Sequence, residues 1–132
     1  MDPARLKQLP LFAQLDDAER AEVATCAREL TVEAGTTLTT EGENAYELFV
    51  IESGEADVRR GDESIRSLHA GDAFGEIGLL ATGTRTATIV ATTPMQLVAI
   101  FSREFKQLEA GMPQIGEHLR VLMRENVART SF

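Results

Sequence analysis

Between Glu29 and Phe101 the chain is a train of short β-prone runs, each stopped by a glycine or proline turn, and this punctuation restricts the fold more than any other feature. The runs cover residues 30–33, 36–40, 47–51, 56–60, 64–69, 86–91 and 95–101. Between them stand Ala34-Gly35, Glu41-Gly42-Glu43-Asn44, Ser53-Gly54, Gly61-Asp62, Ala70-Gly71-Asp72 and Thr93-Pro94, residue types that favour turn geometry over strand geometry. Many short strands joined in this way predict a jelly roll or barrel. The pattern does not encode the order of the strands.

On either side the apolar period becomes helical. Leu6, Leu9, Leu11, Phe12 and Leu15 form an apolar cluster broken at Pro10, and Asp16 with Glu19 three residues later is a capping-box signal for a helix running from 16 or 17 to about 29. Ala18, Val23, Cys26, Ala27 and Leu30 give that helix a narrow face of mostly small residues. After Phe101, Ser102 is the expected cap of a further helix, Gly111-Met112-Pro113 a break, and Pro113 the first residue of a last helix. Ile115, Leu119, Leu122 and Asn126 follow 4-3-4 spacing, which suits either a dimer seam keyed by the asparagine or a face packed on the barrel. The expected architecture is mainly β with flanking helices, an α+β chain with a double-stranded β-helix or jelly-roll barrel at 30–101. An N-terminal helical segment at 1–29 and C-terminal lid helices at 102–132 complete one domain over 1–132.

A length of 132 residues suits one domain and 43% apolar residues can fill its core. A net charge of −8 argues against direct nucleic-acid binding, which normally needs a basic patch. No run of 18 apolar residues is present and the start MDPARLKQLP lacks the basic and apolar regions of a signal peptide, so the expected location is cytoplasmic and off the membrane. Cys26 is alone, excluding an internal disulfide, and reads as a small helix residue; His69 and His118 make no metal-ligand cluster. His69 is expected at a strand end and His118 on a solvated face of the last helix.

The chemistry gathers in residues 74–91, FGEIGLLATGTRTATIVA. Gly75 and Gly78 flank Glu76, and Arg85 follows that carboxylate by nine residues. Backbone without Cβ approaches a ligand closely, and a helical turn beginning at Glu76 would present unpaired amides that attract an anion. Arginine meets phosphate oxygens bidentately, whereas a carboxylate accepts from a hydroxyl. A phosphate and a sugar hydroxyl satisfy both groups; equally, Glu76 and Arg85 could pair with each other across a loop.

The segment closely resembles the phosphate-binding cassette of cyclic nucleotide-binding domains, the family of the bacterial catabolite activator, the regulatory subunit of cyclic-AMP-dependent protein kinase, and cyclic-nucleotide-gated channels. The resemblance lies in Phe74-Gly75-Glu76-Ile77-Gly78-Leu79-Leu80, a four-residue spacer, and Arg85-Thr86-Ala87-Thr88-Ile89. Glu41-Gly42, Ser53-Gly54 and Gly71-Asp72 extend it over nearly the whole chain. Thr84 departs from it, standing where many members carry proline, which is expected to loosen the loop before the arginine.

The resemblance implies a 3′,5′-cyclic nucleotide as ligand. Arg85 and backbone amides near Gly78, Thr86 and Ala87 would hold the cyclic phosphate, with Ile77 in the same turn, and Glu76 with the Gly75 amide would take the ribose 2′-OH. Val58, Ile65 and Phe74 are candidate pocket walls, although ordinary core packing explains such residues as well. The resemblance pulls both ways on the base: a threonine at Thr86 often accompanies cyclic GMP selectivity, whereas Thr130 and Ser131 align with hydroxyl residues that reach adenine in the catabolite activator. Asn126 is a further candidate contact on that helix. The balance favours cyclic AMP, with cyclic GMP as the alternative.

No catalytic constellation, metal box or cofactor motif is evident, so a binding module is expected rather than an enzyme. An enzyme of the double-stranded β-helix type would need a histidine-carboxylate metal triad, which two separated histidines do not suggest. With no helix-turn-helix before Phe132, the expected protein is a sensor module acting on an unknown effector protein or domain, with a candidate homodimer through its last helix. The competing expectation is a degenerate barrel that docks proteins without nucleotide.

Overall fold

The computed structural model describes residues 1–75 and 83–130, with side chains as far as Glu125. Three helices, α1 Pro3–Lys7, α2 Pro10–Ala13 and α3 Asp17–Cys26, precede the strands. The strands are β1 Ala27–Val32, β2 Thr37–Thr39, β3 Glu47–Ser53, β4 Ala56–Arg60, β5 Glu63–Leu68, β6 Ala73–Phe74, β7 Thr88–Ala91 and β8 Met95–Phe101. Two helices follow, α4 Ser102–Gly111 and α5 Pro113–Thr130.

The strands form two four-stranded sheets, ordered β1-β8-β3-β6 and β2-β7-β4-β5. All their pairings are antiparallel, and the sheets face each other as an open jelly-roll sandwich rather than closing into a continuous barrel. Phe49, Ile51, Leu97, Ala99 and Phe74 from the first sheet meet Val58, Leu68, Ile89 and Ala91 from the second. The opposite face of the first sheet, carrying Leu48, Val50, Ala73, Val98 and Ile100, packs under the helices with Leu6, Phe12, Val23, Phe105, Leu119 and Met123. The central strands are therefore apolar on both faces, which is why LFVI and LVAI read as unbroken runs while β5, exposed over its first five residues, does not. Burying a large aliphatic or aromatic side chain contributes about 1.5–3 kcal/mol, so strands this short are held by their layers more than by propensity.

The helix expected to reach 29 ends at Cys26, because Ala27 turns extended and six residues from Ala27 to Val32 join the full ladder along β8. Ala27 and Leu30 thus belong to a strand, not a helix face. Pro10 opens α2 rather than merely interrupting a cluster, and Leu6, Leu9, Leu11, Phe12 and Leu15 are all buried. At the other end α4 begins at Ser102 with Phe101 in the N-cap position and no side-chain cap. Ile115, Leu119 and Leu122 face the chain's own helical core, where Leu119 is fully buried. His118 is not simply solvated: its Nδ1 lies 2.6 Å from Glu19 Oε2 on α3. His69 sits just after β5 and is exposed.

Candidate functional site

Arg85 is 6% exposed, which for an arginine calls for compensation from every side. Its Nη1 donates to the Gly75 carbonyl at 3.2 Å and its Nη2 to the Glu47 carbonyl at 2.9 Å. The same Nη2 lies 3.3 Å from the Glu47 carboxylate. The guanidinium carbon is 5.9 Å from the centre of the Phe49 ring, which stacks on Phe74 at 5.1 Å. A fixed positive charge is thereby held beside the inter-sheet core with little water around it.

The backbone is built around that side chain. Gly75, directly after β6, has φ +83°, and a Cβ there would come within 2.5 Å of Arg85 Nη1 and 2.7 Å of the Glu47 carbonyl. Only glycine accepts both the left-handed conformation and the close approach. Residues 83–85 are pinned to 42–45: the Arg85 N–H donates to the Glu43 carbonyl at 2.7 Å, the Gly42 N–H to the Arg85 carbonyl at 2.9 Å and the Ala45 N–H to the Gly83 carbonyl at 3.1 Å. Thr84 forms an isolated antiparallel bridge with Asn44 within this lattice.

The neighbouring loops are tied to this lattice. Arg60 Nε donates to the Thr86 carbonyl at 3.3 Å, and the buried Thr39 hydroxyl donates to the Ala87 carbonyl at 3.0 Å. The Glu41 N–H donates to the Thr88 hydroxyl at 2.9 Å while the Glu41 carboxylate accepts from the Gly61 N–H at 3.0 Å. Pulling residues 86 and 87 into these contacts delays β7 to Thr88, two residues after the expected start.

Of the residues singled out from sequence, Gly75, Arg85, Thr86 and Ala87 meet here, Thr86 exposed at the rim and Ala87 buried. Val58 and Phe74 are fully buried between the sheets, whereas Ile65 on β5 is 46% exposed. Glu76, Ile77 and Gly78 lie outside the described residues, as does Ser131; Asn126 and Thr130 fall on α5 with their side chains outside the description. Glu47 is a polar partner that sequence reasoning missed. It stands 38 residues before Arg85, and its only local signal is a carboxylate directly before the apolar run Leu48–Ile51.

Among the described residues no group of histidine, cysteine, aspartate and glutamate is arranged to hold a metal ion. Cys26 is buried at the end of α3, with its thiol pushed up to about 11 by burial, and is a poor nucleophile there. Among the described residues no helix is long and apolar enough to cross a membrane.

Residues 29–110 match the family model of the cyclic nucleotide-binding domain. The cAMP-dependent protein kinase regulatory subunit of Colletotrichum orbiculare is 35% identical over 105 residues, covering 78% of this chain and 27% of that one. The N-terminal domain of a transcriptional regulator from Streptomyces coelicolor A3(2) superposes with a TM-score of 0.80 at 27% identity, over 96% of this chain and 92% of that one. The cAMP-bound PfPKA-R structure gives a TM-score of 0.73 at 25% identity, over 98% of this chain and 46% of that one. The chain spans about a quarter of the length of the curated relatives it matches.

Proposed function

The chain belongs to the cyclic nucleotide-binding domain family, a regulatory and not a catalytic one, and from that premise we propose a sensor module that binds cyclic AMP in preference to cyclic GMP. The observation that carries the reading is the buried Arg85, 6% exposed and aimed by the carbonyls of Gly75 and Glu47. In this proposal Arg85, with amides near Gly78, Thr86 and Ala87, takes the cyclic phosphate, and Glu76 with the Gly75 amide takes the ribose 2′-OH. Support for cyclic AMP comes from the relative solved with that ligand at 25% identity. The module would work in the cytoplasm on an effector protein or domain, its last helix answering the ligand.

Cyclic GMP is the second reading, favoured by the exposed Thr86 at the rim of the site. Isothermal titration of the unaltered protein and of Arg85→Ala with each nucleotide separates these cases. The proposal expects heat with both nucleotides, tighter binding of cyclic AMP, and loss of both signals in the variant. Tenfold tighter binding of cyclic GMP would reverse the base assignment, and no heat with either nucleotide would favour a protein-docking module.

A further inference from the structure

Arg20, Arg28, Arg59 and Arg120 each pair with one carboxylate, and Arg5 with two, those of Glu29 and Glu52. Arg60, the last residue of β4, is arranged differently. It is exposed, its Nε donates to the Thr86 carbonyl at 3.3 Å, and among the described residues neither of its Nη groups has a partner. Two carboxylates come near this turn without pairing with it. That of Glu41 accepts from the Gly61 N–H at 3.0 Å, and that of Glu63, opposite Arg60 in the β4–β5 register, is exposed. The bond to Thr86 fixes where the free charge stands. Thr86 follows Arg85 in the chain and is exposed at the rim of the site, so the Arg60 guanidinium is held against the backbone of the residue next to the buried arginine.

Charge balance separates the duties of the two arginines. Arg85 is 6% exposed and lies 3.3 Å from the Glu47 carboxylate, so that pair presents no net charge to an approaching molecule. Glu76, proposed above for the ribose, adds a negative charge, and the whole chain stands at −8. A nucleotide phosphate brings one more. Attraction at a distance needs positive charge that no neighbour offsets, and at this rim Arg60 supplies it. Arg85 provides fixed donors; Arg60 provides the field.

We infer that Arg60 is the capture residue of the site: its unpaired Nη groups draw in the ligand anion before Arg85 takes it, so that Arg60 sets how fast nucleotide associates and Arg85 how long it stays. Rim charges act in this way on encounter, whereas buried charged contacts act on release. Because the attraction falls on the phosphate and not on the base, it serves cyclic AMP and cyclic GMP alike. The inference rests on the nucleotide reading above.

Stopped-flow mixing with cyclic AMP carrying a fluorophore on its base measures both rates in the unaltered protein, Arg60→Gln, Arg60→Glu and Arg60→Lys. For unit charges about 8 Å apart in water, losing one slows encounter about two- to threefold and reversing it about five- to tenfold. At about 0.01 M salt, where the screening length is about 30 Å, association slows by the first factor in Arg60→Gln and by the second in Arg60→Glu. Dissociation changes by less than about twofold, and Arg60→Lys keeps the unaltered rate. At about 1 M salt the screening length is about 3 Å and the four association rates converge. Lys7→Gln makes the same change of net charge on α1, which packs on the other face of the first sheet, and slows association less than Arg60→Gln does. An unchanged association rate in Arg60→Gln overturns the inference. So does a defect that lies in dissociation, persists at high salt, is shared by Arg60→Lys or is equalled by Lys7→Gln. In each of these outcomes binding is intact and the nucleotide reading stands. If calorimetry on the unaltered protein gives no heat with either nucleotide, that reading falls and the capture role falls with it.

Discussion

Glu47 meets Arg85 twice, through its carbonyl at 2.9 Å and its carboxylate at 3.3 Å, both from Nη2. One residue therefore aims the guanidinium and offsets its charge. If Arg85 holds the cyclic phosphate as proposed, removing the cation altogether, Arg85→Ala, should leave that phosphate without its partner and cost about 2–5 kcal/mol, roughly 30-fold to several thousandfold in nucleotide affinity. Arg85→Lys is no rescue, because an ammonium cannot span two carbonyls and an anion in one plane; calorimetry should show it closer to the alanine variant than to the unaltered protein.

Glu47→Gln keeps the carbonyl and removes the charge. Urea unfolding should show a loss of about 1 kcal/mol, modest because the carboxylate is partly exposed. Saturating cyclic nucleotide restores a negative neighbour to Arg85, so its stabilising effect should be larger in this variant than in the unaltered protein.

Gly75→Ala combines two faults, a side chain at φ +83° and a Cβ within 2.7 Å of two atoms of the arginine clamp. The backbone strain alone is worth about 1–3 kcal/mol. Denaturant midpoints should fall accordingly, and nucleotide binding should weaken even under conditions where the variant is fully folded.

Arg20 anchors the corner between α2 and α3. It is 5% exposed and donates to the carbonyls of Phe12 and Ala13 at 3.2 and 3.3 Å, to that of Leu15, and to Asp17. Arg20→Ala strands buried carbonyls and should cost about 2–4 kcal/mol in urea unfolding, while nucleotide affinity measured on the folded fraction stays unchanged.

Acid should loosen the same layer through Glu19. The Asp16 backbone N–H, and secondarily His118, hold its carboxyl below the ordinary glutamate value against an opposing effect of burial. A carboxylate depressed in the folded state contributes stability above its unfolded pKa and loses it as pH falls through the folded one. The part of the stability difference between the unaltered protein and Glu19→Gln that comes from the Asp16 N–H should thus be fully present above the ordinary glutamate pKa of about 4.3 and shrink below it. Urea midpoints across that range provide the measurement.

What the sequence discloses follows the distance over which each contact acts. Gly75 and Arg85 sit within ten residues of each other, and the glycine turns mark the strands locally. Glu47 joins Arg85 across 38 residues and His118 joins Glu19 across 99, so no window of sequence contains either pair. The capping box at Asp16 and Glu19 predicts the start of α3 correctly, with both of its bonds present. The end of α3 falls short of its expected place because β8 recruits Ala27 to Val32 as a strand, a competition between helix and ladder that is decided only once the sheet exists.

The two-faced burial of β3 has a consequence for alignment. Strands with one wet face are kept in step by their apolar pattern, since a slip of one residue would turn that face to water. Phe49 and Ile51 look into one core and Leu48 and Val50 into the other, so a one-residue slip would exchange grease for grease. Hydrophobicity cannot tell these two positions apart. The charged residues of the strand can, because a slip would carry Glu47 away from Arg85 and Glu52 away from Arg5, so the contact that presents the arginine also helps to hold the sheet in step.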